Sequence, residues 1–222
     1  MLINADFSRP AIVSPRHYQW VASPQGGVER VMLDRVGAEK ARATSIVRYA
    51  PGSHFPLHRH PGGEEILVLS GTFSEDGMHY PAGWYLRNPP GSSHRPSSPE
   101  GAVVFVKLQQ MRPHERRAVR IDTRAASSWH GEAGREACPL FSDEAEQTSL
   151  RRLAPGEAVF TAPIDGAELL VLAGHVVADG ARYERGSWMR LPAGPCPGIA
   201  AGTHGTTLYL KVGRPAGLLA EA

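Results

Sequence analysis

Short runs in which apolar and polar residues alternate, cut every few positions by glycine or proline, set the rhythm of this chain from about residue 28 onward. Val28–Val36 alternates loosely and reads as a strand ending at the Gly37 turn. Residues 43–49 are β-branched and stop at Ala50-Pro51-Gly52. Then come residues 55–60, 65–69 up to Ser70-Gly71, and 72–74 with an acidic turn at Glu75-Asp76-Gly77. Residues 84–87 lie between Gly83 and Asn88-Pro89-Pro90-Gly91, and residues 103–108 close the series. Strands this short, separated by turn residues, predict an all-β sandwich or barrel. The first 42 residues carry little periodicity, with Trp20 as a packing anchor. The arginine-rich segment 112–124 lacks interleaved aromatics and reads as a solvated connector, not a nucleic-acid patch.

The pattern then repeats. Thr44-Ser-Ile-Val-Arg-Tyr-Ala-Pro-Gly52 answers Thr148-Ser-Leu-Arg-Arg-Leu-Ala-Pro-Gly156, and Glu65-Ile-Leu-Val-Leu-Ser-Gly71 answers Glu168-Leu-Leu-Val-Leu-Ala-Gly174. Gly83–Gly91 matches Gly186–Gly194, and Phe105–Leu108 matches Tyr209–Val212. Two copies of one all-β unit are expected, over residues 1–111 and 112–222.

The copies differ in their imidazoles. His58 and His60 face Ala162 and Ile164 in the alignment, and His94 faces Pro197. Histidines present in one copy alone are not needed to shape the unit, so they read as site residues. Two histidines two apart on an extended segment share a face, and a carboxylate follows across a Pro-Gly-Gly turn. Imidazole with carboxylate suits one divalent first-row metal: zinc, iron, nickel or manganese. Glu64 and Glu65 both stand at the place of that carboxylate.

Composition narrows the rest. With 41% hydrophobic and 21% charged residues and a formal net charge of +2, the chain is ordinary globular protein, with no bias toward nucleic acid. No apolar run is long enough to span a bilayer, and no basic-then-apolar leader opens the sequence, so a cytoplasmic protein is expected. The 2 cysteines, Cys138 and Cys196, read as free thiols.

The residues Gly52, His58, His60, Glu64 and Gly71, followed by Gly83, Pro89, Gly91 and His94, resemble the two cupin motifs, with Ser98 where the family usually has Asn. Gly-Gly-Glu-Glu-x-Leu-Val-Leu and Arg-Asn-Pro-Pro-Gly-Ser-Ser-His are similar to the ChrR-like subfamily. The resemblance implies two tandem cupin barrels (double-stranded β-helix, jelly roll), a metal-bearing one and a degenerate one. It implies His58, His60, Glu64 and His94 as metal ligands, the motif spacing favouring Glu64 over Glu65. A barrel mouth lined by Tyr49, His54, Phe55, Trp84, Arg87, Phe105 and Lys107 is expected. Relatives that cleave carbon–carbon bonds with dioxygen suggest a metal-dependent dioxygenase-type enzyme on a small organic substrate. The alternative is a non-catalytic sensor or regulator. In ChrR such a cupin follows a zinc-dependent helical domain that holds a sigma factor; His17 is the only Cys or His before residue 43, so that partner is not expected. Exposed edge strands allow a homodimer, and two barrels in one chain equally allow a monomer.

Overall fold

The structure, a computed structural model, describes residues 1–38, 40–132 and 135–213. Strand makes up 61% of it and helix 3%, in antiparallel sheets, as the alternation predicts. Contacts group the described residues into two compact units, Met1–Ala5 with Gln19–Arg124, and Asp6–Tyr18 with the chain from Ala125 to Gly213. Two segments therefore sit on the other side of a simple cut after residue 111. Ala11–Val13 pairs with Trp188–Gly194 in the second unit. Val119–Asp122, inside the arginine-rich connector, pairs with Trp84–Asn88 in the first. Residues 214–222, the end of the expected second copy, lie outside the described residues.

Each unit is built on its own sheet, and the strand orders correspond. In the first unit the path runs Leu2–Ile3, Val28–Val36, Arg42–Tyr49, Ala102–Leu108, Glu64–Glu75, Trp84–Asn88, Val119–Asp122. In the second it runs His130–Glu132, Arg135–Ser142, Glu146–Leu153, Ile199–Gly213, Ile164–Ala178, Trp188–Gly194, Ala11–Val13. The cores repeat too. Val104 faces Val68 and Val106 faces Ile66 in the first unit; Leu208 faces Val171 and Leu210 faces Leu169 in the second. All eight side chains are buried in their own cluster. Each buried aliphatic contributes about 1.5–3 kcal/mol of transfer free energy, so the periodic β-branched and leucine positions carry the fold.

One shared glycine explains why the turns persist in both copies. Gly71 has φ +68°, and a Cβ there would lie 2.0 Å from the Gly101 carbonyl oxygen. Its counterpart Gly174 has φ +71° and would meet the Gly205 oxygen at 2.4 Å. Only a residue without a side chain fits where the two backbones approach this closely.

Candidate metal centre

The site stands on a two-stranded ribbon beside the main sheet of the first unit. His58–His60 pairs with Ser92–His94, with His94 directly opposite His58 and Ser92 opposite His60. Alternation puts His58 and His60 on one face, and the register adds His94 to it. The three rings form a triangle with centroid separations of 4.8, 4.9 and 4.7 Å. Their ligating atoms lie within 4.8 Å of one another.

The carboxylate is delivered by the turn at Pro61-Gly62-Gly63. The Gly63 N–H donates to the His60 carbonyl, and Gly63 takes φ +77° with the Met111 side chain where a Cβ would stand. The chain re-enters the sheet at Glu64, whose Oε2 lies 3.5 Å from His60 Nε2 and 3.4 Å from His94 Nε2. Glu65, one position on, points to the opposite face and binds Arg87 at 3.0 Å. Alternation thus separates the two candidate acids, and Glu64 is the one beside the histidines.

The donor chemistry fits a divalent cation. His94 Nδ1 is 2.5 Å from Glu75 Oε2, and His58 Nδ1 is 3.0 Å from the Pro56 carbonyl oxygen. Acceptors at both Nδ1 atoms hold the proton there and leave Nε2 as a lone pair, the arrangement that orients ligating imidazoles. His94 Nε2 then sits 2.9 Å from His60 Nε2, with the Glu64 oxygen beside both. Lone pairs and an anion this close repel unless a proton or a cation lies among them.

Electrostatics follow from burial and from this network. Burial, opposed by the Pro56 contact, pushes His58 below its ordinary value, and burial also lowers His60 against the pull of Glu64. For His94, burial acts downward too, but the bond to Glu75 and the charge of Glu64 outweigh it and raise the group. Glu75, although burial works against its charge, is held low by His94 and Arg120.

A second layer locks the acids in place. Arg120 Nη2 donates to Glu75 Oε1 at 2.6 Å and to Asn88 Oδ1 at 2.6 Å, and Asn88 Nδ2 donates to Glu64 Oε2 at 3.2 Å. The ring His94–Glu75–Arg120–Asn88–Glu64 closes on the site. Sequence reasoning placed Glu75 in a turn and Arg120 in a solvated connector. Neither showed in local pattern, because both are brought in by strand pairing across long sequence separations.

A cavity of about 310 Å³ opens beside the histidines, lined by His58, His60 and Glu64 and by apolar wall that includes Tyr49, Phe55 and Val104. Tyr49 packs edge-on against Phe55 and Phe73, each at 5.8 Å, and burial with the nearby Glu64 charge raises its phenol. The other expected mouth residues lie elsewhere. Arg87 is 1% exposed and saturated by Glu65 and Glu115. Phe105 and Lys107 occupy the sheet face opposite Val104 and Val106, with Lys107 donating to Thr44. Trp84 packs edge-on against Tyr80 at 5.3 Å, and His54 is exposed. Period-2 alternation decides the placement of Arg87, Phe105 and Lys107.

In the second unit the equivalent positions are apolar. Ile164 and Ala167, at the places of His60 and Glu64, belong to the buried cluster with Phe160. Glu168 aligns with Glu65 and accepts a hydrogen bond from the Trp188 indole at 2.7 Å. Both cysteines are free, Cys138 buried and Cys196 exposed.

Residues 8–112 match the family described as the ChrR Cupin-like domain. No curated protein matches the sequence significantly. Among solved structures, the fold is similar to a "putative dioxygenase" of Nostoc punctiforme, with TM-score 0.75, 14% identity, and coverage of 96% of this chain and 85% of that one. It is also similar to the bacterial pirin YhhW of Escherichia coli in complex with nickel(II), with TM-score 0.62, 13% identity, and coverage of 94% and 100%. A mutant of oxalate decarboxylase from Bacillus subtilis aligns with TM-score 0.61 and 12% identity over 92% of this chain and 77% of that one. Residues 8–112 are thus similar to the ChrR Cupin-like domain, and the fold of the chain is similar to that of these solved structures.

Proposed function

We propose that the chain is a bicupin whose first barrel holds one divalent metal ion through His58, His60, Glu64 and His94, and that it acts as a dioxygenase-type enzyme on a small organic substrate. The observation that carries the reading is the adjacency of the histidine cluster to a cavity of about 310 Å³ with largely apolar walls. A divalent ion bound there supplies Lewis acidity and, when redox-active, one-electron chemistry.

The chain's own residues set the stage for that chemistry. Glu75 and the Pro56 carbonyl fix the Nδ1 protons of His94 and His58, so their Nε2 atoms stay available as donors. Val47, Ile66, Val104 and Val106 give the cavity an apolar wall. Tyr49, whose phenol burial keeps protonated, stands in the cavity wall.

The match of residues 8–112 to the ChrR Cupin-like domain favours a second reading, a metal-binding sensor without turnover. The two are separated by loading the protein with Fe(II) under anaerobic conditions and measuring oxygen uptake with diketones and phenolic ketones. Substrate-dependent uptake by the wild type, abolished in His58→Ala, supports the enzyme. Iron-loaded protein that consumes no oxygen with any of these substrates supports the sensor.

A further inference from the structure

Arg30 stands apart from the rest of the cavity wall. The strand Val28–Val36 turns Val28 and Arg30 inward; Val28 faces Tyr49 and Arg30 faces Val47 across the register. Val47 in turn faces Val104. All of these line the same cavity as His58, His60 and Glu64. Along this inner face the neighbours of Arg30 are valines, and a guanidinium has no structural reason to stand among them. Valine or isoleucine would extend the apolar surface at no electrostatic cost.

Its hydrogen-bonding is incomplete as well. Arg30 is half-buried, and its Nε is shut off from solvent with no hydrogen-bond partner among the described residues. A buried N–H left unmade is costly, and in native proteins such a group is nearly always met by protein, ordered water or a bound ligand. The other cations that line the cavity, Lys40 and Arg59, are exposed. Among the lining residues Glu64 is the sole carboxylate, and it faces His60 and His94.

From this placement we infer that the cavity takes an organic anion, a carboxylate on an apolar body, with the carboxylate on Arg30 and the body along the valine wall. Guanidinium matches carboxylate in a bidentate fork, which fixes orientation as well as charge. Lys40 and Arg59 add positive potential where the ligand enters. The inference rests on the catalytic reading for the ligand's fate but not for its binding, because Arg30 is no part of the proposed metal site.

The test is binding of two isosteric pairs, benzoate against benzamide and phenylacetate against phenylacetamide, measured by calorimetry on the metal-loaded full chain. At least one carboxylate is expected to bind about tenfold or more tightly than its amide. Arg30→Gln should weaken that carboxylate by about ten- to a hundredfold and leave the amide unchanged, while Arg30→Lys falls between. Metal content of Arg30→Gln, measured in parallel, should equal that of the wild type. Neither carboxylate binding, carboxylate and amide binding equally, or Arg30→Gln binding the carboxylate as the wild type does would each overturn the inference. Wild-type protein that takes up no metal yet shows the Arg30-dependent preference overturns the metal reading and supports the anion site.

Discussion

Replacing Glu75 by Gln separates the proposed metal ligands from the groups that aim them. The substitution keeps the shape but removes an anion whose two oxygens are both committed, one to His94 Nδ1 at 2.5 Å and one to Arg120 Nη2 at 2.6 Å. A glutamine amide offers one acceptor oxygen, so its NH₂ group must face either the His94 N–H or the Arg120 guanidinium, donor against donor. Glu75 is 5% exposed, and water has little access to repair the mismatch. If the imidazole responds by moving its proton to Nε2, the lone pair needed for a metal is lost. Supporting carboxylates of this kind are worth about 10–100-fold in metal affinity, or about 1.4–2.7 kcal/mol. Competition with a chelator of known affinity, titrated with Zn(II) at neutral pH, reads that change directly. Glu75→Gln should bind within this range below wild type, and His94→Ala should lose more. A Glu75→Gln protein with wild-type affinity would refute the view that Glu75 orients His94 for a metal.

Other consequences are independent of the metal. Cys138, buried and with its thiol pushed up to about 11 by burial, should resist a thiol reagent that labels exposed Cys196 at once, becoming reactive when the protein is unfolded; two rapidly reacting thiols in the native state would contradict the burial. Tyr18 donates its hydroxyl to the Gly186 carbonyl at 2.5 Å, and burial raises it to about 12. The folded protein keeps this proton after the unfolded chain has begun to lose it, so the Tyr18 contribution is full below pH 10.0 and fades as pH rises toward 12. Tyr18→Phe should therefore show a lower Tm at neutral pH and a shallower fall of Tm above pH 10.0; parallel profiles would argue against it. Gly71→Ala and Gly174→Ala, which force a Cβ onto a carbonyl oxygen at positive φ, should each cost more than about 2 kcal/mol in chemical denaturation. An effect at Gly71 alone would break the equivalence of the two units.

Much of this molecule was legible in its sequence because the features concerned are local. Turns at Gly71 and Gly174, alternating valines and leucines, and a His-x-His segment all announce themselves within a few residues. The separation of Glu64 from Glu65 follows from alternation once the strand is placed. What sequence could not supply was pairing at long range. Val119–Asp122 has no strong strand pattern and is held by its register with Trp84–Asn88, which is how Arg120 reaches Glu75. Ala11–Val13 joins the second sheet through Trp188–Gly194, so an edge comes from a segment far from its unit in sequence. The expectation of Arg87 and Phe105 at the mouth rests on their chemistry and not on their facing. A single-residue phase in a strand moves a side chain to the other side of the sheet. Arg30 went unmarked for the complementary reason, since one arginine in a loosely alternating strand looks like a solvated position until its neighbours across the register prove to be Val47 and Val21.

The central claim is that these four side chains form one metal site and that the second unit has none. Elemental analysis of the full chain purified without added metal, then reloaded with a single divalent ion and passed through a desalting column, tests it most directly. The account predicts one equivalent per chain in the wild type and a loss of nearly all of it in the His58→Ala/His60→Ala double variant, with the folded β-sheet signal retained. Wild-type protein that retains no metal, or a double variant that still holds one equivalent, would contradict it.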